Sequence, residues 1–169
     1  MRQAGQGHDA GQPIDNAALA RVFHRIADLL EFQDENPSKV RAYRMAAETI
    51  EEMRDPVANM AARGGAVELQ KIPWVGRSIS AQILEILKTG TSGYLEKLKG
   101  EIPETVLDLR RVPGIGLKTA QTLYRDFGIK SLDDLKAFAE GGGLSSVFGL
   151  GEKTAQRIKS SLARLEVFD

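Results

Sequence analysis

Twelve residues of this chain recur 35 positions apart with little change. Val112-Pro113-Gly114-Ile115-Gly116-Leu117-Lys118-Thr119-Ala120-Gln121-Thr122-Leu123 aligns with Val147-Phe148-Gly149-Leu150-Gly151-Glu152-Lys153-Thr154-Ala155-Gln156-Arg157-Ile158. A third, degenerate copy precedes them, Ile72-Pro73-Trp74-Val75-Gly76-Arg77-Ser78-Ile79-Ser80-Ala81-Gln82-Ile83. Repetition on this scale means that one supersecondary unit is used more than once. In each copy the Gly-hydrophobic-Gly element, or its Trp-Val-Gly variant, stands directly before apolar residues at helical spacing. The unit is therefore a tight turn feeding a helix.

The residue types define a phosphate-binding turn. The first glycine permits a turn, with φ > 0 if needed, that a β-carbon resists. The apolar residue after it points inward and pins the turn to the core. The second glycine removes bulk where another backbone must approach. The helix that follows presents unpaired N–H groups and the positive end of its dipole, a natural seat for a phosphate. Gly114, Gly116, Lys118 and Thr119 form one such candidate site, and Gly149, Gly151, Lys153 and Thr154 the other. The lysines add charge-assisted contacts and the threonine hydroxyls add donors. Contacts of this kind position a protein on DNA without reading sequence, and they weaken with salt. One such turn is often only the start of a helix, but two copies with Lys-Thr after the second glycine point to a shared ligand. The reading requires Gly116 and Gly151 to face open space. Gly-x-Lys-Thr shares residues with a nucleotide P-loop, but the Gly-x4-Gly-Lys-[Ser/Thr] spacing is absent and no strand precedes it, so nucleotide hydrolysis is excluded.

Helical patterning runs through the rest of the chain. Leu19, Val22, Phe23, Ile26, Leu29 and Leu30 form one face of a helix started near Asp15 or Asn16. Asn36-Pro37 opens a second, with Val40, Tyr43, Ala46, Ala47, Ile50 and Met53 as its stripe. Asp55-Pro56 opens a third, which Gly64-Gly65 closes. Ile79, Ile83, Ile86 and Leu87 mark a fourth, ending at Thr89-Gly90. Further helices are expected near 118–127, 132–139 and 152–165, with Gly141-Gly142-Gly143 as a hinge-like loop. Gly and Pro between Gly100 and Pro103 set a domain boundary. The expected organisation is a disordered tail over 1–14, a helical domain over 15–100 and a tandem-hairpin domain over 101–169.

Composition excludes several functions. With no cysteine there are no disulfides, thiolate metal sites or thiol chemistry. Two histidines, His8 and His24, make no metal-hydrolase cluster. No apolar run reaches the roughly 20 residues of a membrane helix, and the Gly- and Gln-rich start is no secretory signal, so the expected location is cytoplasmic. Net charge is zero, from 23 basic and 23 acidic residues. From Arg110 to Arg164, however, ten basic residues face five acidic ones, a surplus of +5 that leaves −5 elsewhere. A basic C-terminal half is expected from that count, suited to a polyanion.

The run Asn36-Pro37-Ser38-Lys39-Val40-Arg41-Ala42-Tyr43-Arg44-Met45-Ala46-Ala47, followed by Ile72-Pro73-Trp74-Val75-Gly76 and the hairpin at Val112, resembles the N-terminal region of family X DNA polymerases, the DNA polymerase beta-like enzymes. The hairpin at Val147 resembles the bacterial members in particular, and the likeness runs from about Asn16 to Leu165. The resemblance implies an all-α fold of two small helical subdomains with tandem helix-hairpin-helix motifs: a polymerase beta N-terminal-like domain followed by a SAM-like helical domain. It implies double-stranded, gapped or nicked DNA as partner, DNA repair as the setting, the bacterial nucleoid as location, and a catalytic or repair protein as second partner. Lys39 and Tyr43 match positions near the family's 5′-phosphate pocket, and Gly76 and Arg77 of the first hairpin are further candidate DNA contacts. A monovalent cation, K⁺ or Na⁺, is implied at a hairpin, through the carbonyls of Val112 and Ile115 or of Val147 and Leu150.

The departures from the family pattern bear on activity. The lyase nucleophile of the family is a lysine six residues after the second glycine of the first hairpin; here that residue is Gln82, whose amide cannot form a Schiff base. Ser78 replaces a basic position and Trp74 the first glycine. The first hairpin is therefore expected to be altered, with the Trp74 ring packed onto the core, stacking on a base being the alternative. The palm's Gly-Ser and paired aspartates are not among these residues, and Asp133-Asp134 reads as helix-dipole compensation. The reading is a non-catalytic DNA-binding module. Its alternatives are a lyase using Lys39, Lys71 or Lys88, and a helical scaffold for protein partners.

Overall fold

The computed structural model describes residues 14–168, with side chains to Leu165. These residues are helical throughout, with no β-strand among them. The expected tail lies outside them but for Ile14. The chain divides into two compact units, Met1–Gly100 and Glu101–Asp169.

In the first unit, α1 (Asn16–Phe32) begins at Asp15, whose carboxylate accepts from the Ala18 amide at 2.8 Å. α2 (Pro37–Glu52) begins at Asn36, which accepts from the Ser38 amide at 2.9 Å, with Pro37 in the first turn where its missing N–H costs nothing. The two helices pack on each other through Leu19, Phe23, Ile26 and Leu30 of α1 and Val40, Ala46, Ala47 and Ile50 of α2. Burying these side chains is favourable by about 25–30 cal/mol per Å² of apolar surface. Arg44 clamps the pair outside, 2.9 Å from Asp28 and 3.5 Å from Glu31. Asn16 joins the start of α1 to that of α3 (Val57–Leu69). Its amide donates to the carbonyls of Met53 and Asp55 at 3.3 and 3.1 Å, and its oxygen accepts from the Val57 amide at 2.8 Å. That long-range cap serves where Pro56 has no side chain to offer.

The expected end of α3 at Gly64-Gly65 is half right. Gly65 leaves the helix at φ 59, ψ −141, but helical structure resumes through Leu69. α4 (Arg77–Thr89) ends at Gly90, and α5 (Gly93–Glu101), unanticipated, follows Ser92, which accepts from the Leu95 amide at 3.1 Å.

The second unit contains a 3-10 helix (Glu104–Arg111), α6 (Leu117–Phe127), α7 (Leu132–Glu140), a 3-10 turn (Gly143–Ser146) and α8 (Glu152–Phe168). Val106, Leu109, Val112, Ile115, Leu123, Leu135, Leu144, Val147 and Ile158 form its core. Ser131 caps α7 at the Asp134 amide, and the Asp134 carboxylate reaches back to accept from the Lys130 amide, a reciprocal arrangement like a capping box. The triple glycine is no open hinge. A β-carbon at Gly143 would lie 2.5 Å from the Phe138 ring, so the segment is packed tightly against α7.

The basic C-terminal half does not survive the boundary. Over Glu101–Asp169 the ten basic residues meet ten acidic ones, because Glu101, Glu104, Asp108, Glu166 and Asp169 flank the stretch Arg110–Arg164. Each unit is formally neutral, and any preference for an anion must come from local placement.

Candidate nucleic-acid interface

The three repeats share one backbone path. Before each turn, the amides of Ile72, Val112 and Val147 donate to the carbonyls of Leu69, Leu109 and Leu144, at 3.0, 3.3 and 3.2 Å. Across each turn, the amides of Val75, Ile115 and Leu150 donate to the carbonyls of Ile72, Val112 and Val147, at 3.0, 3.0 and 3.2 Å. Into each helix, the amides of Ser80, Ala120 and Ala155 donate to the carbonyls of Gly76, Gly116 and Gly151, each at 3.0 Å. The third position of each turn is left-handed: φ is 72 at Trp74, 100 at Gly114 and 84 at Gly149.

The glycines divide the work. At Gly114 the turn faces protein: an added β-carbon would lie 3.2 Å from Ile158 Cγ1 and 3.6 Å from Thr154 Cγ2, so α8 packs against the second hairpin. At Gly76, Gly116 and Gly151 an added β-carbon would meet no atom within 4 Å. Gly76 and Gly116 are extended and exposed, with φ −99 and −91, and no side chain caps the helix that either one opens. The requirement that Gly116 and Gly151 face open space is met.

Lys118 and Lys153, on the first turns of α6 and α8, are exposed. Thr119 and Thr154 are half-buried, and the Thr154 methyl is taken up against Gly114. Val75 and Ile115 are buried as pins, while Leu150 is only half-buried. Val112 and Val147 are buried, each with its carbonyl engaged by the turn hydrogen bond.

The first hairpin contradicts the expectation that Trp74 deforms it. An L-residue in the left-handed region costs roughly 1–2 kcal/mol, and a bulky one is a true outlier there. Buried Ile72 and Val75 on either side, with the three shared hydrogen bonds, hold the turn in place regardless. Nor does the ring pack onto the core: Trp74 is 44% exposed, and the Arg41 guanidinium lies 5.4 Å from its ring centroid. Sequence reasoning also missed Phe148, 99% exposed where the other two turns carry Pro73 and Pro113; the break in the proline pattern was the available signal.

An open cleft of about 350 Å³ beside this turn brings together Lys39, Ala42, Tyr43, Trp74, Gly76, Arg77, Ser78 and Ile79. The four positions singled out in this half, Lys39, Tyr43, Gly76 and Arg77, therefore meet in one place. Lys39 lies over the Tyr94 ring at 5.4 Å, and a hydrogen bond to Tyr94 holds its amine above the usual lysine range, ahead of the opposing effect of burial. Tyr43 is buried, stacked on Tyr94 with centroids 5.8 Å apart. Its hydroxyl accepts from Gln82 Nε2 at 2.7 Å, and Gln82 also reaches Ser78 Oγ at 3.2 Å, leaving Gln82 Oε1 buried without a partner. Lys71 pairs with Glu68 at 2.8 Å, and Lys88 is exposed. His24 lies 3.4 Å from Glu51 on the surface. No group of three acidic or histidine side chains among the described residues could hold a metal, and no helix among them is long and apolar enough to cross a membrane.

Repeated turns that end in open, uncapped helix starts define a helix-hairpin-helix protein. Comparison with known families agrees: a helix-hairpin-helix domain matches residues 14–92, and a SAM-like helix-hairpin-helix tandem matches 66–127 and 106–164. The chain belongs to the helix-hairpin-helix family, and its domains match the N-terminal region of family X DNA polymerases. It is 28% identical over 144 residues to DNA polymerase/3'-5' exonuclease PolX of Bacillus subtilis, covering 85% of this chain and 24% of that protein. It is 30% identical over 122 residues to DNA nucleotidylexotransferase of Xenopus laevis, covering 72% and 22%. Against DNA polymerase lambda of Rattus norvegicus it is 37% identical over 73 residues, covering 43% and 12%. The chain thus spans about a quarter or less of these relatives' length, and the similarity lies in a helix-hairpin-helix DNA-binding region.

Proposed function

We propose that this chain binds double-stranded, gapped or nicked DNA through its sugar-phosphate backbone, without reading sequence, and that it serves DNA repair. The observation that carries this reading is the pair of glycines, Gly116 and Gly151, with clear space in front and a helix N-terminus behind. A phosphate seated there accepts from the first-turn amides while Lys118 or Lys153 supplies charge. Gly114 and Gly149 hold the turns; Thr119 and Thr154 add hydroxyl donors. Gly76 and Arg77 offer a third seat, in the cleft that Lys39 and Tyr43 also line. A monovalent cation, K⁺ or Na⁺, fits the turns of the second unit. The carbonyls of Val112 and Val147 each accept one turn hydrogen bond and keep a second lone pair, and those of Ile115 and Leu150 would complete the ligation.

The module carries no lyase or polymerase chemistry of its own on this reading. Gln82 stands where the nucleophile belongs. A Schiff base needs a neutral amine, a form that the hydrogen bond from Lys39 to Tyr94 disfavours, and Lys71 is paired with the Glu68 carboxylate. A catalytic or repair protein is then the natural second partner, and the bacterial cytoplasm, at the nucleoid, the place of action. Borohydride trapping on abasic DNA should yield no covalent adduct; an adduct would reinstate the lyase.

Fluorescence anisotropy on gapped 5′-phosphorylated DNA and on intact duplex tests the binding itself. Affinity should fall steeply with salt, each phosphate contributing about −0.9 to the slope of log K against log salt. A flat dependence contradicts the reading. The formal neutrality of both units favours a second reading, a scaffold for protein partners. It gains if charge reversal at Lys118 and Lys153 leaves DNA affinity unchanged while a protein partner still co-purifies.

A further inference from the structure

We infer that Trp74 and Arg41 form a stacking platform for an unpaired nucleobase, giving the first unit a preference for single-stranded ends or gaps over intact duplex. The inference rests on the DNA-binding reading above and adds to it a subsite of stated chemistry. Three observations carry it. Trp74 holds the left-handed conformation (φ 72) that glycine holds in both other hairpins, so the large ring is kept against a standing conformational cost. The ring stays 44% exposed, with the Arg41 guanidinium 5.4 Å from its centroid. Lys39 and Arg77 both line the cleft it borders. Among the described residues, neither Arg41 nor Arg77 is engaged in an ion pair.

A flat π-face flanked by cations matches one ligand class well: a nucleotide, whose base stacks while its phosphates meet the charges. An anionic small molecule would not use the ring, and an apolar peptide would not use three cations. Gly76 lies two residues from Trp74 with open space before the α4 amides. A strand whose phosphate is seated at α4 therefore carries its base beside the indole. A base inside a duplex has both faces covered by its neighbours, so only an unpaired or terminal base can offer one.

The chain contains a single tryptophan, so its intrinsic fluorescence reports this site alone. The full chain is titrated with three fluorophore-labelled DNAs, read by anisotropy and by tryptophan emission: blunt duplex, duplex with a single-stranded 5′ overhang, and the same overhang built from abasic residues. Saturating quenching by the base-bearing overhang is expected, with little from the other two. Trp74→Phe should keep most of the overhang preference. Trp74→Gly, with folding checked by circular dichroism, should lower overhang affinity about 5- to 150-fold, the range for loss of one base stack. Blunt-duplex affinity should change less than about twofold, since phosphate contacts carry it. Unchanged emission while anisotropy reports binding to the overhang overturns the platform and leaves the DNA-binding reading standing. Equal overhang affinity in Trp74→Gly does the same. Absence of binding to all three DNAs overturns both.

Discussion

The first hairpin places Trp74 at φ 72 and the second places Gly114 at φ 100, in turns closed by the same hydrogen bonds. In the second, the missing side chain makes room: α8 presses to 3.2 Å of where a β-carbon would stand. In the first, the residue at that position turns outward, under an arginine. The path of a helix-hairpin-helix turn is thus set by the buried residues around it and by its backbone hydrogen bonds. Glycine at its left-handed position is a packing requirement in one copy and is dispensable in the other.

Four variants and one exchange of salt test that contrast. The largest effect is expected from Lys118→Glu with Lys153→Glu. Loss of two charge-assisted contacts should weaken DNA binding about 100-fold, and the salt slope should shrink by about two. Gly114→Ala comes next, losing about 2 kcal/mol of stability in urea unfolding, from the left-handed backbone and the crowding at Ile158. Gly116→Ala should behave in the opposite way. Its extended backbone accepts a side chain, so stability should hold within about 0.5 kcal/mol, while the methyl group in front of α6 lowers DNA affinity about tenfold, the loss of roughly one phosphate contact. Trp74→Gly should change stability by less than about 1 kcal/mol, since released strain of about 1–2 kcal/mol offsets the lost ring contacts and the added chain entropy. The smallest effect is expected when K⁺ is exchanged for tetramethylammonium at constant ionic strength. If a cation bridges the turn carbonyls to a phosphate, affinity should drop about threefold, below what one charge-assisted hydrogen bond is worth.

The helices were legible where apolar spacing and caps agreed, as at Asp15 and α1, Asn36-Pro37 and α2, and Gly90 after α4. The short elements were not. α5 buries only Leu95 and Leu98, and the 3-10 helix at Glu104–Arg111 only Val106 and Leu109, too few positions in either to show a period. The phosphate seats could be read because glycine, lysine and threonine recur in register. The state of the first turn could not be, because tertiary contacts at Ile72 and Val75 override what Trp74 would choose alone. The basic surplus over Arg110–Arg164 is local, because Glu101, Glu104, Asp108, Glu166 and Asp169 on either side cancel it. Nor did the sequence show that Thr154 would be shared between its own helix and the neighbouring hairpin.

Backbone amide chemical-shift mapping with ¹⁵N-labelled protein, at rising duplex concentration and moderate salt, looks at the amides themselves. The largest perturbations should cluster at Gly116–Thr119 and Gly151–Thr154 and recede as salt is raised. Binding that leaves those amides unmoved while shifting another face would contradict the account.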